Sequence, residues 1–201
     1  MNDSFFDIEK EKQERIINAA LKAFSLQGYK HASTDEIAKE ANVSKGLIFH
    51  YFDSKVGLYS FVFSYSVKYM VYFLNQAVNP KETDFFMLLR QITCARMYAC
   101  KKYKYIQLFL ESCPYEDVTE ALLATEGEID ILNETYDRIY SQVDRDKFKS
   151  DVVTDDMIRF ITLSFSAMLR EEVNKKSFQA DQFYKETLNY IDMLNKLMSK
   201  N

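Results

Sequence analysis

Apolar residues recur along this chain at spacings of three and four rather than two. Ile16, Ile17, Ala20, Leu21 and Phe24 mark one face of an amphipathic helix over Glu9–Gln27. Gly28 stands where such a helix ends in the left-handed conformation. Ser33 and Glu36 then form an S-x-x-E capping box, which opens a second helix with Ile37, Ala38 and Ala41 inward. Ala41-Asn42-Val43-Ser44 reads as a tight turn, because Asn tolerates positive φ and Ser44 can cap the next helix. That third helix, Lys45–Phe52, places Ile48 and Phe52 one turn apart on its inner face. Asp53-Ser54 ends it, and a long helix runs from Lys55 to about Val78.

The same spacing predicts helices over Asp84–Lys101, Tyr103–Ser112, Val118–Val143, Asp156–Lys175 and Asp181–Ser199, about nine in all. Breaks fall at residues 79–83, at Pro114 and along the polar run 144–156. Neither an internal repeat nor a strand pattern is visible. The expected fold is all-α, with a three-helix unit over residues 1–53 and a larger helical body over residues 54–201.

Composition supports this reading. Only 4 Gly and 2 Pro among 201 residues leave long stretches free to run as helix. The formal net charge of -4 excludes bulk coating of nucleic acid. Between Gly28 and Leu58, Lys30, Lys39, Lys45 and Lys55 are matched by Asp35, Glu36, Glu40 and Asp53. Any DNA contact must therefore come from placed groups and helix ends. Cys94, Cys100 and Cys113 lack metal-ligand or CxxC spacing and read as reduced thiols. The first residues carry no secretory pattern, so a cytoplasmic protein is expected. The apolar run 56–74 approaches a membrane span in length, but Lys68 lies deep within it. A buried helix is the better reading, with no membrane partner.

Two short helices joined by a tight turn behind a packing helix form a helix-turn-helix, whose second helix enters the major groove. This accounts for a glycine in a short helix and for Leu47 and His50 off its apolar face. Gly46 permits close backbone approach to DNA. The helix N-termini at Ser33, Ser44 and Ser54 present N–H groups suited to phosphate.

These residues resemble the tetracycline-repressor (TetR) family of bacterial transcriptional regulators. The resemblance runs from about Ile16 to Tyr59. It includes Ile16, Ala19, Ala20 and Phe24, then Gly28-Tyr29, Ser33-Thr34, Ile37-Ala38, Val43-Ser44-Lys45-Gly46, Tyr51-Phe52 and Ser54-Lys55 with Leu58. It implies phosphate contacts at Thr34 and Lys55, with Ser33 at the same helix end. It places Ser44, Lys45, Gly46, Leu47, Phe49, His50 and Tyr51 at the DNA. Phe49 stands where the family usually has tyrosine, so a hydroxyl bond to phosphate is lost. Leu47 replaces a frequent threonine or small residue and offers apolar contact, for instance to a thymine methyl. Asn42 replaces the usual glycine. Phe49 is equally compatible with a core position, and His50 with a plain surface one.

The resemblance further implies a body that binds a small-molecule effector and forms a homodimer. The residues themselves supply aromatic and apolar candidates for an effector pocket: Tyr65, Tyr69, Phe73, Phe86, Met97, Phe109, Phe165 and Met168. Ordinary core packing explains the same residues. Arg96 interrupts an apolar row, so it suits either an anionic effector group or a salt bridge. Met157, Phe160 and Ser164, with Phe183, Thr187, Ile191, Leu194 and Met198, form stripes on the last two helices and are the dimer-interface candidates.

The leading expectation is a ligand-responsive regulator, a repressor that binds a pseudo-palindromic operator as a dimer and is released by a hydrophobic effector. The alternative is a helical small-molecule carrier or partner-binding protein with a vestigial helix-turn-helix. An enzyme is not expected. His31 and His50 are the only histidines, and no metal cluster, nucleophile elbow or phosphate loop is visible. No cofactor is expected.

Overall fold

The computed structural model describes residues 3–149, 154–173, 175 and 178–199. Among them are ten α-helices and no strand: α1 (Lys10–His31), α2 (Thr34–Glu40), α3 (Lys45–Phe52), α4 (Lys55–Ala77), α5 (Phe85–Lys102), α6 (Ile106–Ser112), α7 (Thr119–Leu123), α8 (Glu126–Tyr140), α9 (Thr154–Val173) and α10 (Ala180–Met198). Single 3-10 turns cover Asp3–Asp7, Cys113–Tyr115 and Arg145–Lys147. Residues 150–153 of the expected loop and residue 174 of the expected helix Asp156–Lys175 lie outside the described residues.

Two differences from the sequence expectation have local causes. The stretch Val118–Val143 is two helices, not one. At its break Thr125 turns inward, sharing a 3.3 Å contact with the buried Cys113 thiol and donating to the Ala121 carbonyl. The N-terminus, expected to be a polar lead-in, begins with a 3-10 turn that buries Phe5 completely.

The chain divides into two compact units, Met1–Tyr69 with Tyr103–Ile131, and Met70–Lys102 with Leu132–Asn201. The helix-turn-helix elements therefore share their unit with the first two-thirds of α4 and with α6 and α7, whereas the sequence suggested a boundary at residue 53. The core of this unit is aromatic. Phe24 of α1 meets Tyr59 of α4 edge-on at 4.9 Å, and Phe109 of α6 packs against Tyr59 at 5.4 Å and Phe63 at 5.8 Å. All four rings are at most 2% exposed, and each such buried side chain contributes about 2–3 kcal/mol of transfer free energy.

In the second unit, α5 and α10 pack along one another around Phe85, Phe86, Leu89, Phe148, Met157, Ile161, Phe165 and Ile191. Phe148 packs its ring tilted against Phe85 at 5.7 Å and edge-on to Phe86 at 6.0 Å. Its backbone is held there because the Lys149 N–H donates to the Met198 carbonyl at 3.0 Å. No described helix is long and apolar enough to cross a membrane.

Candidate nucleic-acid interface

The turn between α2 and α3 is built by local chemistry. Asn42 adopts φ 54°. Its N–H donates to the Lys39 carbonyl at 3.1 Å, and the Val43 N–H donates to the Ala38 carbonyl at 3.0 Å. This pair of bonds is a Schellman ending, with Asn in the left-handed position usually held by glycine. Arg15 of α1 fastens the turn from behind by donating Nε to the Ala41 carbonyl at 3.1 Å. Ser33 caps α2 by accepting from the Asp35 N–H at 3.3 Å, not as part of a reciprocal box with Glu36. Ser44 caps α3 by accepting from the Leu47 N–H at 3.1 Å.

α3 presents two faces. Ile48, Tyr51 and Phe52 are buried. Ser44, Lys45, Gly46, Phe49 and His50 are exposed, and Leu47 is half-buried between the two sets. Tyr51, grouped with the DNA contacts on sequence, thus lies inward, with only 7% of its surface exposed. A Cβ on Gly46 would meet nothing nearer than the Ser44 Oγ at 3.9 Å. The fold itself therefore does not require glycine there. What the missing side chain leaves open is the outward approach to the start of α3.

The charged groups at this face are already engaged. Lys45 Nζ pairs with Asp35 at 2.8 Å and lies 5.7 Å from the centre of the Phe49 ring. Lys55 donates to the Lys30 carbonyl at 3.2 Å and sits 4.6 Å over the Tyr29 ring. Burial pulls the Lys55 ammonium below its ordinary value, against the opposing carboxylates of Glu116 and Glu120. Thr34 and Ser33 are half-buried at the α2 N-terminus.

Sequence reasoning missed several residues that set this geometry. Gly57 is one. A Cβ there would lie 2.0 Å from the Phe52 carbonyl oxygen, so only glycine lets the first turn of α4 pass the end of α3. Asp53 at φ 61° makes the reversal, and Ser54 Oγ accepts from the Gly57 N–H at 3.0 Å. Tyr29 is another. Its N–H donates to Glu116 at 2.8 Å and its hydroxyl to Glu120 at 2.6 Å. Glu116 and Glu120 carried no local signal, since they stand about ninety residues away in sequence.

The effector-pocket candidates are divided between the units. In the first, Tyr65 and Tyr69 stack at 5.9 Å, and the Tyr65 hydroxyl meets that of buried Tyr103 at 2.9 Å. Phe109 belongs to the core around Tyr59. In the second, Phe86 and Phe165 are core residues with Met168 packed against them, and Met97 is half-buried. Phe73 stacks on Tyr98 at 6.1 Å. Arg96 donates to the Tyr136 hydroxyl at 3.2 Å. Of the interface candidates, Met157, Phe183, Thr187 and Ile191 are buried within their own unit, and Ser164, Leu194 and Met198 are not among its fully buried core. Phe160 stands out, 67% exposed. Among the described residues no group of three or more His, Cys, Asp or Glu side chains is placed to hold a metal.

Residues 16–60 match the family model of bacterial regulatory proteins, tetR family. A 49-residue segment is 51% identical to the HTH-type transcriptional regulator YuxN of Bacillus subtilis, covering 24% of this chain and 17% of that protein. A 66-residue segment is 35% identical to IcaR of Staphylococcus aureus, a negative transcriptional regulator of the biofilm operon icaADBC, covering 33% of each. The matched segments thus span no more than about a third of these relatives' own length. Among solved structures, a TetR family transcriptional regulator from Chloroflexus aurantiacus superposes with a TM-score of 0.62 at 18% identity, over 100% of this chain and 99% of that one. The ketosteroid transcriptional regulator of Mycobacterium tuberculosis gives 0.68 at 15% identity, over 96% and 97%. At these identities the likeness is one of fold.

Proposed function

We propose that this chain, whose residues 16–60 match the tetR family of bacterial regulatory proteins, is a member of that family and a dimeric, ligand-responsive repressor of transcription. Residues 1–53 read a pseudo-palindromic operator. Residues 54–201 bind a small hydrophobic effector and dimerise. The observation that carries the reading is the outward face of α3, where Lys45, Gly46, Phe49 and His50 are exposed on a helix whose other face is locked into the core. The ends of α2 and α4 flank it with Thr34 and Lys55, positions suited to phosphate. That IcaR is a negative regulator supports repression.

Two recognition helices must meet successive major grooves, which requires a two-fold pair. The surface we assign to that pairing is the outer stripe of α9 and α10. Phe160 and Leu163 are 67% and 52% exposed there, and Tyr190, Met193 and Leu197 are 42%, 51% and 60% exposed. A shift of the part of α4 that begins at Lys55 and carries Tyr65 and Tyr69 would couple effector to operator.

The test is a mobility-shift titration with palindromic sequences upstream of the protein's own gene and its neighbours. The expected result is nanomolar to micromolar specific binding that weakens steeply with salt, and release by a hydrophobic compound. Absence of salt-sensitive, sequence-specific binding to any such site would overturn it.

A further inference from the structure

The family match begins at residue 16, yet the 3-10 turn at Asp3–Asp7 reaches the recognition helix. Phe5 is completely buried. Its ring lies edge-on to Tyr51 of α3 at 5.6 Å, tilted against Phe52 of α3 at 5.0 Å, and edge-on to Phe61 of α4 at 5.0 Å. Phe6 adds a contact to Phe61 at 5.9 Å. The turn is fastened to α1 by the Gln13 amide, which donates to the carbonyls of Phe6 at 3.0 Å and Ile8 at 2.7 Å. Tyr51 also lies edge-on to His50 at 4.9 Å, and His50 is exposed on the outer face of α3.

We propose that the N-terminal turn is a positioning element of the DNA-reading head: Phe5 fixes the Tyr51 ring, and through it the direction of His50 and the tilt of the last turn of α3 against α4. Edge-to-face pairs hold ring orientation as well as burying area. With Phe5 removed, Tyr51 loses a ring packed against it and its rotamer is no longer set from that side. His50 then loses a fixed neighbour, although nothing on the DNA side has changed. The proposal rests on the DNA-binding function proposed for α3. It assigns the selectivity of that binding in part to residues that never touch DNA.

The test uses the full chain and a duplex selected by the wild-type protein from a random pool. Specific and scrambled duplexes are titrated by fluorescence anisotropy at one salt concentration, for wild type, Phe5→Ala, Phe5→Leu, His50→Ala and the Phe5→Ala/His50→Ala double variant. Circular dichroism checks that each variant keeps its helix content. Phe5→Leu retains most of the buried volume and guards against an unfolded alanine variant. Phe5→Ala should bind the selected duplex about tenfold more weakly while its affinity for scrambled DNA stays unchanged, and Phe5→Leu should fall between. The two single losses should be strongly non-additive in the double variant, whereas a merely structural loss would add. Unchanged specific affinity, equal loss on both duplexes, or additive losses would each overturn the proposal. If the wild type selects no duplex at all, the DNA-binding reading falls and takes this proposal with it.

Discussion

Two glycines lie eleven residues apart in the helix-turn-helix region, and alanine should act on them in opposite ways. At Gly57 an added Cβ would sit 2.0 Å from the Phe52 carbonyl oxygen and 3.1 Å from its carbon. Real Cβ atoms do not approach closer than 3.0 Å, so the end of α3 and the first turn of α4 would have to part by about 1 Å, a forced overpacking that costs roughly 1–3 kcal/mol. The opening also strains the left-handed Asp53 and the Ser54 cap, and a lost cap costs about 1 kcal/mol. Alanine returns up to about 1 kcal/mol of helix propensity. The last two effects offset one another, so the net expectation for Gly57→Ala is a loss of about 1–3 kcal/mol. For a chain of this length that lowers the melting midpoint by roughly 2–12 °C.

At Gly46 the nearest atom to an added Cβ is 3.9 Å away. Gly46→Ala should therefore leave stability unchanged or raise it by up to about 1 kcal/mol. It should nonetheless weaken operator binding by about tenfold, because the Cβ fills the space left for phosphate or base edge. The assay is a thermal melt by circular dichroism at fixed protein concentration, beside an anisotropy titration at fixed salt, well below both midpoints. Wild-type affinity in Gly46→Ala would refute the close-approach reading. A Gly57→Ala midpoint equal to or above that of wild type would refute the packing argument.

The same geometry predicts three further outcomes. Asp35→Asn releases Lys45 from its exposed ion pair, so stability should change by less than about 1 kcal/mol while affinity for scrambled duplex rises severalfold; unchanged affinity in a salt series would show that Asp35 does not hold the lysine back. Phe160→Glu places a charge in the outer stripe of α9, and sedimentation should then show monomer with folded helix content and weakened operator binding; an intact dimer would move the interface elsewhere. Burial, together with the Tyr65 hydroxyl bond, raises the Tyr103 phenol above its ordinary value of 10.0. The unfolded chain therefore loses that proton first, so this group's contribution to stability is flat below about pH 10 and falls above it, with a shallower fall in Tyr103→Phe; identical alkaline slopes in melts from about pH 8 to 11 would contradict the assignment.

What could be read from the sequence was set by neighbours within a few residues. The Ser44 side chain caps α3 by bonding the backbone three residues on, and Asn42 takes the left-handed position because that residue type tolerates positive φ. Gly57 and Phe5 could not be read this way. Nothing beside Gly57 in sequence reveals the Phe52 carbonyl under it, and two adjacent aromatics in a short acidic lead, Phe5 and Phe6, have no period to betray which of them is buried. The split between α7 and α8 is of the same kind. Thr125 leaves the helical path to meet Cys113, and a helical periodicity scan runs through that point without registering it.

The last two helices show why periodicity finds a core more readily than an interface. Met157, Ile161 and Phe165 on α9, and Phe183, Thr187 and Ile191 on α10, recur with helical spacing because each helix must bury one stripe against its own unit. A second apolar stripe on the same helix repeats with the same period, so spacing alone gives no reason to prefer one over the other. The more regular set is the one spacing offers as the interface, and the structure turns most of it inward. What remains outside, Phe160 and Leu163 with Tyr190, Met193 and Leu197, is a set of large apolar side chains that their own unit does not need. An exposed surface of that kind is what an association must cover. The Phe160→Glu experiment therefore tests a face identified by subtraction: the apolar residues of α9 and α10 less those already used by the core.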